Sequence, residues 1–489
     1  LKERDKFDNK RLNSFIKKYF LYFERMVIQM ALTGKEISQM HAQYIAQSWS
    51  KSGGAARPIE SGKGIYLYDY DGNEIADMSS LLVCANLGHS LPEIVDAIKA
   101  QADKLCFAAP CYATEAKSTL AKKIVDIAGA DHFQRVLFTN AGADANENAI
   151  KIARNFTGRT KIFNRYRSYH GATLGASNAS GDWRRFAAEV GGANGFIKFI
   201  DPYTYHDGWD KADDEKATKY YLHLLEEQLH YEGTDNVAAI MMESITGANG
   251  VLIPPKGYME GVRALCDKYG ILMICDEVMA GFGRTGKMFC WQNFDIVPDI
   301  ITFAKGVTCG YIPLGGVVMS KEISKYFEDH VLQCGLTYSG HTLACAAGNA
   351  AVDYYLDHNV CDHVMEVGAY LAKWEDEMVE KHACVGEARH IGLFTAFELV
   401  KDKATREPLD YYGCPNAIKA QAIAKLENEY NVHLYGRENT MSICPPLTIT
   451  KEELDAVLPK IDEVLTWIDE QLATVEKNPD YTTAVAIVK

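Results

Sequence analysis

The chain has 489 residues, of which 47% are hydrophobic and 24% are charged, a composition typical of a soluble globular protein with a large core. Its formal net charge of −14 argues against nucleic acid as a partner, because nucleic-acid binding needs concentrated Lys and Arg. The thirteen cysteines are scattered without a Cys-x-x-Cys pair. This pattern predicts free thiols in a reducing compartment, the cytoplasm, and neither a disulfide framework nor a metal site.

Residues 1–30 carry no predicted function. Charges of both signs precede a short apolar stretch at residues 15–23, which lysines interrupt. Such a stretch makes a poor signal peptide and is too short to span a membrane. We treat residues 1–30 as an uncertain N-terminal extension and expect no membrane association.

The next elements alternate between strands and helices. Alternating β-formers at residues 65–70 precede an Asp-Gly dipeptide at 71–72, which predicts a hairpin turn. Helical spacing at residues 91–105 and 145–156 flanks a short apolar run at 135–139. Helix, strand and helix are therefore expected in succession.

Further apolar runs lack the alternation of a half-exposed strand. They lie at residues 237–242, 271–275, 300–304 and 316–319. Strands that are apolar on both sides belong to a sheet covered on both faces, so the sequence predicts an α/β fold with a large, mainly parallel sheet. A strand-like run at 393–400 and a helix at 451–472 predict a smaller α/β domain built from both chain ends.

Polar side chains stand at the ends of several predicted strands. Glu243 and Asp276 close two of them, and Lys305 follows another. Ligands of open α/β sheets bind at the carboxyl ends of strands. A lysine amine can form a Schiff base with pyridoxal phosphate (PLP), while an acid keeps the pyridine nitrogen protonated. A lone lysine at a strand end is usually a surface residue, so this interpretation depends on its neighbours.

Two turns suit the other parts of such a cofactor. Residues 138–147 (FTNAGADANE) place Gly142 and Ala143 at a helix start, where backbone N–H groups and the helix dipole bind phosphate. Tyr169, followed by His170 and a glycine, can stack on a planar ring. Alone, each pattern is more often structural.

In this order, the segments closely resemble the class III aminotransferases, PLP-dependent enzymes of fold type I, from about residue 45 to residue 472. The most specific segments are 276–286 (DEVMAGFGRTG), 298–306 (PDIITFAKG), 313–316 (PLGG), 337–347 (TYSGHTLACAA) and 444–447 (CPPL). The resemblance implies a large PLP-binding domain at residues 91–345. Residues 31–90 and 346–489 would then form the small domain.

The resemblance also implies roles for individual residues. Lys305 would bind PLP covalently, and Asp276 would pair with the pyridine nitrogen. The amides of Gly142 and Ala143 would hold the phosphate. Thr337 would reach the phosphate of a neighbouring subunit, so a homodimer or a dimer of dimers with shared active sites is expected.

The same resemblance implies contacts to the cofactor ring. Val278 and Tyr169 would pack on its opposite faces, and His170 and Glu243 would line the site, with Glu243 able to neutralise a nearby arginine. The family commonly has serine where this chain has Ala143. That change removes a hydroxyl contact to phosphate but leaves the backbone amides.

Val83 and Arg437 are the predicted substrate residues. Val83 stands where many amine-accepting relatives carry tryptophan, which suggests a roomier pocket. Arg437 lies near the place of a carboxylate-binding arginine in similar enzymes, and its guanidinium suits a carboxylate or sulfonate, although a structural arginine fits the pattern equally well.

The expected reaction is a ping-pong transfer of an amino group to pyruvate or 2-oxoglutarate. The donor would be an ω-amino acid or amine, with taurine, β-alanine, 4-aminobutyrate and β-aminoacyl thioesters all fitting. An aminomutase or phospho-lyase of the same family stays open as an alternative, as does a non-catalytic homologue.

Overall fold

The computed structural model describes residues 32–189, 195–410 and 417–488. The extension predicted at residues 1–30 therefore lies outside the described residues. No helix within those ranges is long and apolar enough to cross a membrane.

The chain divides into two compact units. The smaller unit comprises the described residues up to Ser61 together with Tyr68–Glu74, and the larger comprises Gly62–Leu67 and the residues from Ile75 onward. Helix α1 (Gly34–Tyr44) of the smaller unit begins with a capping box. Thr33 Oγ1 accepts the Glu36 N–H at 3.3 Å, and Glu36 Oε2 accepts the Thr33 N–H at 2.9 Å. Both groups satisfy amides that a helix start leaves without partners.

The predicted hairpin turn at residues 71–72 is confirmed. The first strands of the chain are β1 (Ile59–Lys63), β2 (Tyr66–Asp69) and β3 (Glu74–Asp77). At the turn, the Asp69 N–H donates to the Asn73 carbonyl at 3.1 Å. Gly72 has a φ of 81°, a left-handed conformation that glycine adopts without steric cost.

A seven-stranded sheet forms the centre of the larger unit. Its strands are β4 (Phe133–Thr139), β5 (Lys161–Arg165), β6 (Phe196–Phe199), β7 (Val237–Glu243), β8 (Leu272–Asp276), β9 (Ile300–Phe303) and β10 (Gly315–Ser320). In the order β4-β10-β9-β8-β7-β5-β6, the strands from β9 to β6 are parallel neighbours. Strand β10 runs antiparallel to both β9 and β4. The connection at 304–314 contains only a single helical turn, so it cannot make the crossover that a parallel pair needs.

The central sheet is buried on both faces, as the apolar runs predict. On β7, Ile240 and Met242 belong to one hydrophobic cluster, whereas Ala239 and Met241 belong to another. Because successive side chains of a strand point to opposite faces, these two clusters lie on the two sides of the sheet. The mainly parallel α/β fold is thereby confirmed.

Helices account for much of the rest of the larger unit. They are α2 (Pro92–Lys104), α3 (Glu115–Ala128), α4 (Gly142–Thr157), α5 (Leu174–Ala179), α6 (Phe186–Glu189), α7 (Thr204–Asp207), α8 (Asp214–Glu232), α9 (Tyr258–Tyr269), α10 (Lys321–Asp329), α11 (Thr342–Asp357), α12 (Val360–Lys381), α13 (Ile418–Glu429), α14 (Lys451–Leu472) and α15 (Ala484–Val488). Single 3-10 turns occupy Trp183–Arg185, Lys211–Asp213, Thr234–Asn236, Cys290–Asn293 and Lys305–Val307. The helices predicted at residues 91–105, 145–156 and 451–472 are confirmed.

A second, antiparallel sheet lies in the C-terminal part of the chain. Its strands are β11 (Val385–Ile391), β12 (Phe394–Asp402), β13 (Glu407–Pro408), β15 (Tyr435–Arg437) and β16 (Thr440–Ile443). Strand β14 (Val432–His433) instead pairs in parallel with residues 76 and 77 of β3. Segments from both halves of the chain therefore meet in one sheet.

Glu375 is a buried acid on α12. Its Oε1 accepts the Thr395 hydroxyl at 2.5 Å, and Thr395 lies on β12. Burial raises the pKa of Glu375 to about 8, because the low-dielectric interior disfavours the charged form. The native carboxyl is therefore protonated at neutral pH.

This acid predicts a pH-dependent loss of stability. Between the ordinary glutamate pKa of about 4.5 and the native pKa of about 8, the folded chain keeps a proton that the unfolded chain releases, so stability falls as pH rises through that window. Glu375→Gln removes the titration. Between about pH 5 and about pH 9, we expect the Tm of this variant to fall by about 3 °C less than the Tm of the wild type. Exposed Glu380 on the same helix supplies the control Glu380→Gln, and an unchanged pH profile in Glu375→Gln would contradict the prediction.

Candidate active site

The carboxyl ends of β7, β8 and β9 bring the predicted polar residues to one edge of the central sheet. In the strand register, Glu243 lies beside Asp276, and Asp276 lies beside Thr302. Lys305 opens the 3-10 turn just after β9. Parallel strands therefore align residues that are far apart in sequence.

A cavity of about 390 Å³ opens at this edge. The sequence-predicted residues that line it are Gly142, Ala143, Tyr169, His170, Glu243, Asp276, Val278 and Lys305. The lining also contains residues not predicted from the sequence, among them Cys84, Asn146, Met279 and Thr308. The structure thus brings most of the predicted cofactor residues to a single cavity.

Asp276 is held rigidly at the cavity wall. Its Oδ2 accepts the Asn146 side-chain amide at 2.7 Å and lies 2.6 Å from His170 Nδ1. Its Oδ1 accepts the Val278 N–H at 3.0 Å. A buried carboxylate needs such partners, and together they fix the direction in which it presents negative charge to the cavity.

Asn146 is a site residue that sequence reasoning missed. Its Nδ2 also donates to the His170 carbonyl at 2.8 Å, and its Oδ1 accepts the Thr302 hydroxyl at 2.6 Å. Asn146 lies one helical turn after Gly142 on α4, so the two residues share a helix face. A polar residue four positions after the phosphate turn is the signal that could have found it.

Glu243 orders the loop that carries Tyr169. Its Oε1 accepts the Tyr169 N–H at 3.1 Å, and its Oε2 accepts the Gly247 N–H at 2.6 Å. Burial raises the pKa of Glu243, and His170 and these amides oppose that rise. The carboxyl group therefore holds two backbone segments in place, one at Tyr169 and one at Gly247.

The start of α4 offers a cradle for an anion. Gly142 and Ala143 open this helix, and Ala141 supplies no side-chain cap to the amides of its first turn in the described structure. A Cβ on Gly142 would come within 2.8 Å of Val278 Cγ1, so glycine lets these two walls approach closely. Backbone N–H groups at a helix start favour a phosphate.

Lys305 has an unusual backbone for a non-glycine residue. Its φ is 48°, in the left-handed region, and its side chain lines the cavity half-buried. A left-handed lysine costs conformational energy, and such strain persists where the surrounding fold holds it. Lys305 adopts this conformation at the start of the turn that follows β9, where its side chain lines the cavity.

Three predicted residues lie outside the cavity lining. Thr337 is exposed, and Val83 is buried in a hydrophobic cluster with its side chain 2% exposed. The left-handed turn Ser80–Val83 directs Val83 into that cluster, and Cys84 lines the cavity instead. Arg437 lies over the Trp183 ring at 5.3 Å and faces Asp182, with NH2 and Oδ2 3.4 Å apart.

The residues of the cavity fit PLP. The uncapped amides at Gly142 and Ala143 suit its phosphate, and Lys305 supplies an amine for its aldehyde. The fixed Asp276 carboxylate suits a protonated pyridine nitrogen. Within the described ranges, no cluster of His, Cys, Asp or Glu side chains could hold a metal ion.

Comparison with known proteins relates this chain to one family. The family model described as Aminotransferase class-III matches residues 50–465. The diaminobutyrate–2-oxoglutarate transaminase of Halomonas elongata is 31% identical over 451 residues, which cover 88% of this chain and 95% of the relative. The taurine–pyruvate aminotransferase of Bilophila wadsworthia is 32% identical and is matched over 84% of this chain and 92% of its own.

A solved structure is more similar still. The taurine:2-oxoglutarate aminotransferase from Bifidobacterium kashiwanohense, in complex with PLP and glutamate, is 65% identical in sequence, with a TM-score of 0.89. The match covers 91% of this chain and all of the solved chain.

Proposed function

Because the chain belongs to the class III aminotransferases and uses PLP, we propose that it transfers the amino group of a small acidic ω-amino acid, taurine first among them, to 2-oxoglutarate. The observation that carries this proposal is the 65% identity to a taurine:2-oxoglutarate aminotransferase over 91% of the chain. Pyruvate is the acceptor named for more distant relatives at 32% and 34% identity, so 2-oxoglutarate is the better-supported acceptor.

Each side chain at the cavity has a proposed role. When bound, PLP supplies an electron sink for the bond that breaks at the substrate carbon. Lys305 holds the cofactor through its amine and, once released by the donor, carries the proton at that carbon. Asp276 holds the pyridine nitrogen protonated, and Asn146 and His170 keep its carboxylate in place. The first amides of α4 bind the phosphate.

Tyr169 and Val278 are the proposed walls for the two faces of the cofactor ring. Both line the cavity, which supports this role. Glu243 fixes the Tyr169 backbone, and His170 approaches Asp276 from the same loop. These contacts hold the loop that carries Tyr169 and His170 in place beside the cavity.

Arg437 is the proposed partner of the substrate acid group. Its Nε and NH2 atoms are buried and have no hydrogen-bond partner among the described residues, and the separation of 3.4 Å from Asp182 is long for a hydrogen bond. On the same strand, the Tyr435 hydroxyl donates to the Ala248 carbonyl at 3.2 Å, and Ala248 lines the cavity. A side chain of strand β15 thus contacts a residue of the cavity lining, and Arg437 on this strand retains donors for a sulfonate or carboxylate.

The donor site also depends on the turn around Val83. We propose that Val83 shapes the pocket by setting the position of Cys84, the neighbour that lines the cavity. A cysteine at this point of the lining leaves more room than a tryptophan side chain would.

We propose a homodimer, or a dimer of dimers, with shared active sites. Thr337 is exposed, as expected of a residue that reaches into a neighbouring subunit. Leu81, Leu82, Phe107 and Tyr338 are between 36% and 56% exposed in the single chain. Phe107 and Tyr338 contact each other, with ring centroids 5.5 Å apart. A contiguous exposed apolar patch is typical of a surface that a partner covers.

The domain limits and the cellular location are further proposals. Pairing of β14 with β3 supports a small domain formed by residues 31–90 and 346–489 around the PLP-binding part at 91–345. Every cysteine within the described residues is a free thiol, which supports a cytoplasmic location.

A panel of donors and acceptors tests the proposed reaction. Taurine, β-alanine, 4-aminobutyrate, putrescine and a 3-aminobutyryl thioester are each paired with 2-oxoglutarate and with pyruvate. We expect the highest kcat/KM for taurine with 2-oxoglutarate, and no turnover without a keto acid. Turnover without one would instead indicate an aminomutase or phospho-lyase.

Arg437→Ala should lower kcat/KM for taurine about 10- to 100-fold and leave putrescine within about threefold, since only the acidic donor loses a charged hydrogen-bond partner. The control Arg135→Ala removes an exposed arginine that pairs with Glu328 on the surface. Equal losses for taurine and putrescine in Arg437→Ala would contradict the role of Arg437.

A further inference from the structure

Arg184 lies directly on the ring of Tyr169. Its Cζ is 3.5 Å from the ring centroid, and its side chain is only 11% exposed. Tyr169 lines the cavity, whereas Arg184 is not among the lining residues. The guanidinium therefore stacks on one face of a ring whose side chain also lines the cavity.

Asp182 fixes Arg184 in this position. Arg184 Nε donates to both carboxylate oxygens, at 3.1 Å and 2.9 Å, and its NH2 also donates to Oδ2. The Arg184 N–H donates to Oδ1 at 3.0 Å, so Asp182 also caps the 3-10 turn that carries the arginine. A planar guanidinium held at several atoms makes a rigid surface for an aromatic ring.

The charge on Arg184 is maintained despite its burial. Burial lowers the pKa of Arg184, whereas its hydrogen bonds to Asp182 and the negative charge of Asp182 raise it. The net pKa of Arg184 lies above the ordinary value. A desolvated cation over an aromatic ring attracts the ring more strongly than an exposed one. The contact therefore restrains the Tyr169 side chain, while Glu243 holds the Tyr169 backbone.

We propose that Arg184 is a positioning residue that holds the ring of Tyr169 against the cofactor. With the ring already ordered, PLP binding pays less conformational entropy. The proposal rests on the stacking role proposed for Tyr169, and it is independent of which donor the enzyme uses. Arg184 acts through Tyr169 and is not itself among the residues that line the cavity.

Release of PLP from the full-length holoenzyme tests this role. After dilution, the loss of visible absorbance gives the release rate, and visible circular dichroism reports the orientation of the bound cofactor. We expect Arg184→Gln to release PLP about fivefold faster and to reduce the dichroic band, because the cation–ring contact is lost. Arg184→Lys keeps the charge but loses the planar stack, so its PLP release rate should lie between those of the wild type and Arg184→Gln.

Arg185→Gln is the matched control. Arg185 belongs to the same 3-10 turn, but it pairs with Glu189 and lies over Phe186 at 4.9 Å. This variant should release PLP at the wild-type rate. An effect equal to that of Arg184→Gln would overturn the proposal.

A double-mutant cycle separates positioning from general structural support. Tyr169→Leu should itself speed PLP release, and Arg184→Gln should add nothing in that background, because the ring it restrains is gone. If Arg184→Gln speeded PLP release equally in the wild-type and Tyr169→Leu backgrounds, the proposal would be overturned. Unchanged release in Tyr169→Leu would overturn it as well.

Discussion

Replacing Lys305 with alanine is expected to lower transamination at least ~1,000-fold while leaving the fold intact. The lysine amine both holds the cofactor and moves the proton, and an alanine can do neither. The side chain lines the cavity and is not part of the hydrophobic clusters, so its loss should cost little stability. The measurements are kcat for taurine with 2-oxoglutarate, the yellow colour of the purified protein, and its Tm.

Two variants sharpen this prediction. Lys305→Arg keeps the positive charge but cannot form the covalent link, so it should be about as inactive as Lys305→Ala. Lys325→Ala, at an exposed position on α10, should keep full activity and colour. Turnover by Lys305→Ala within about tenfold of wild type would refute the assignment of Lys305.

Asp276→Asn is expected to lower kcat/KM about 100- to 1,000-fold. An amide cannot hold the pyridine nitrogen protonated, so the cofactor loses much of its capacity to accept electrons. The colour should persist, because Lys305 and the amides of α4 are unchanged. Steady-state kinetics together with the visible spectrum separate this loss of chemistry from a loss of cofactor.

Charge rather than size should decide the effect at residue 276. Asp276→Glu keeps the negative charge but displaces it from Asn146 and the Val278 N–H, so we expect a smaller loss than in Asp276→Asn. Equal activities of the Asn variant and wild type would contradict the role of the carboxylate. Equal losses in both variants would assign the effect to geometry alone.

The elements with strong local signals were predictable from the sequence. The apolar runs that became β7 and β8, and the capped helix α14, each carry their periodicity within the segment itself. The family resemblance, drawn from the segments around Asp276 and Lys305, is confirmed by the class III match. Strand ends were informative because parallel strands align their carboxyl ends at a single edge.

The antiparallel direction of β10 was not predictable from its composition. Its apolar run looks like those of the parallel strands, and only the short connection after β9 determines its direction. The same limit applies to Val83 and Cys84. A left-handed turn sends the first to the core and the second to the cavity, and leucines and valine at a φ above +40° are not expected from local propensity.

The fold class, the PLP chemistry, and Lys305 and Asp276 as candidates for its main groups were accessible from the sequence, because each depends on patterns contained in short segments. The support of Asp276 by Asn146 and the stacking of Arg184 on Tyr169 became visible only in the folded chain. The first of these contacts joins residues far apart in the chain, and the second depends on how a loop folds back on itself. Both depend on strand order and loop conformation, which local propensity does not encode.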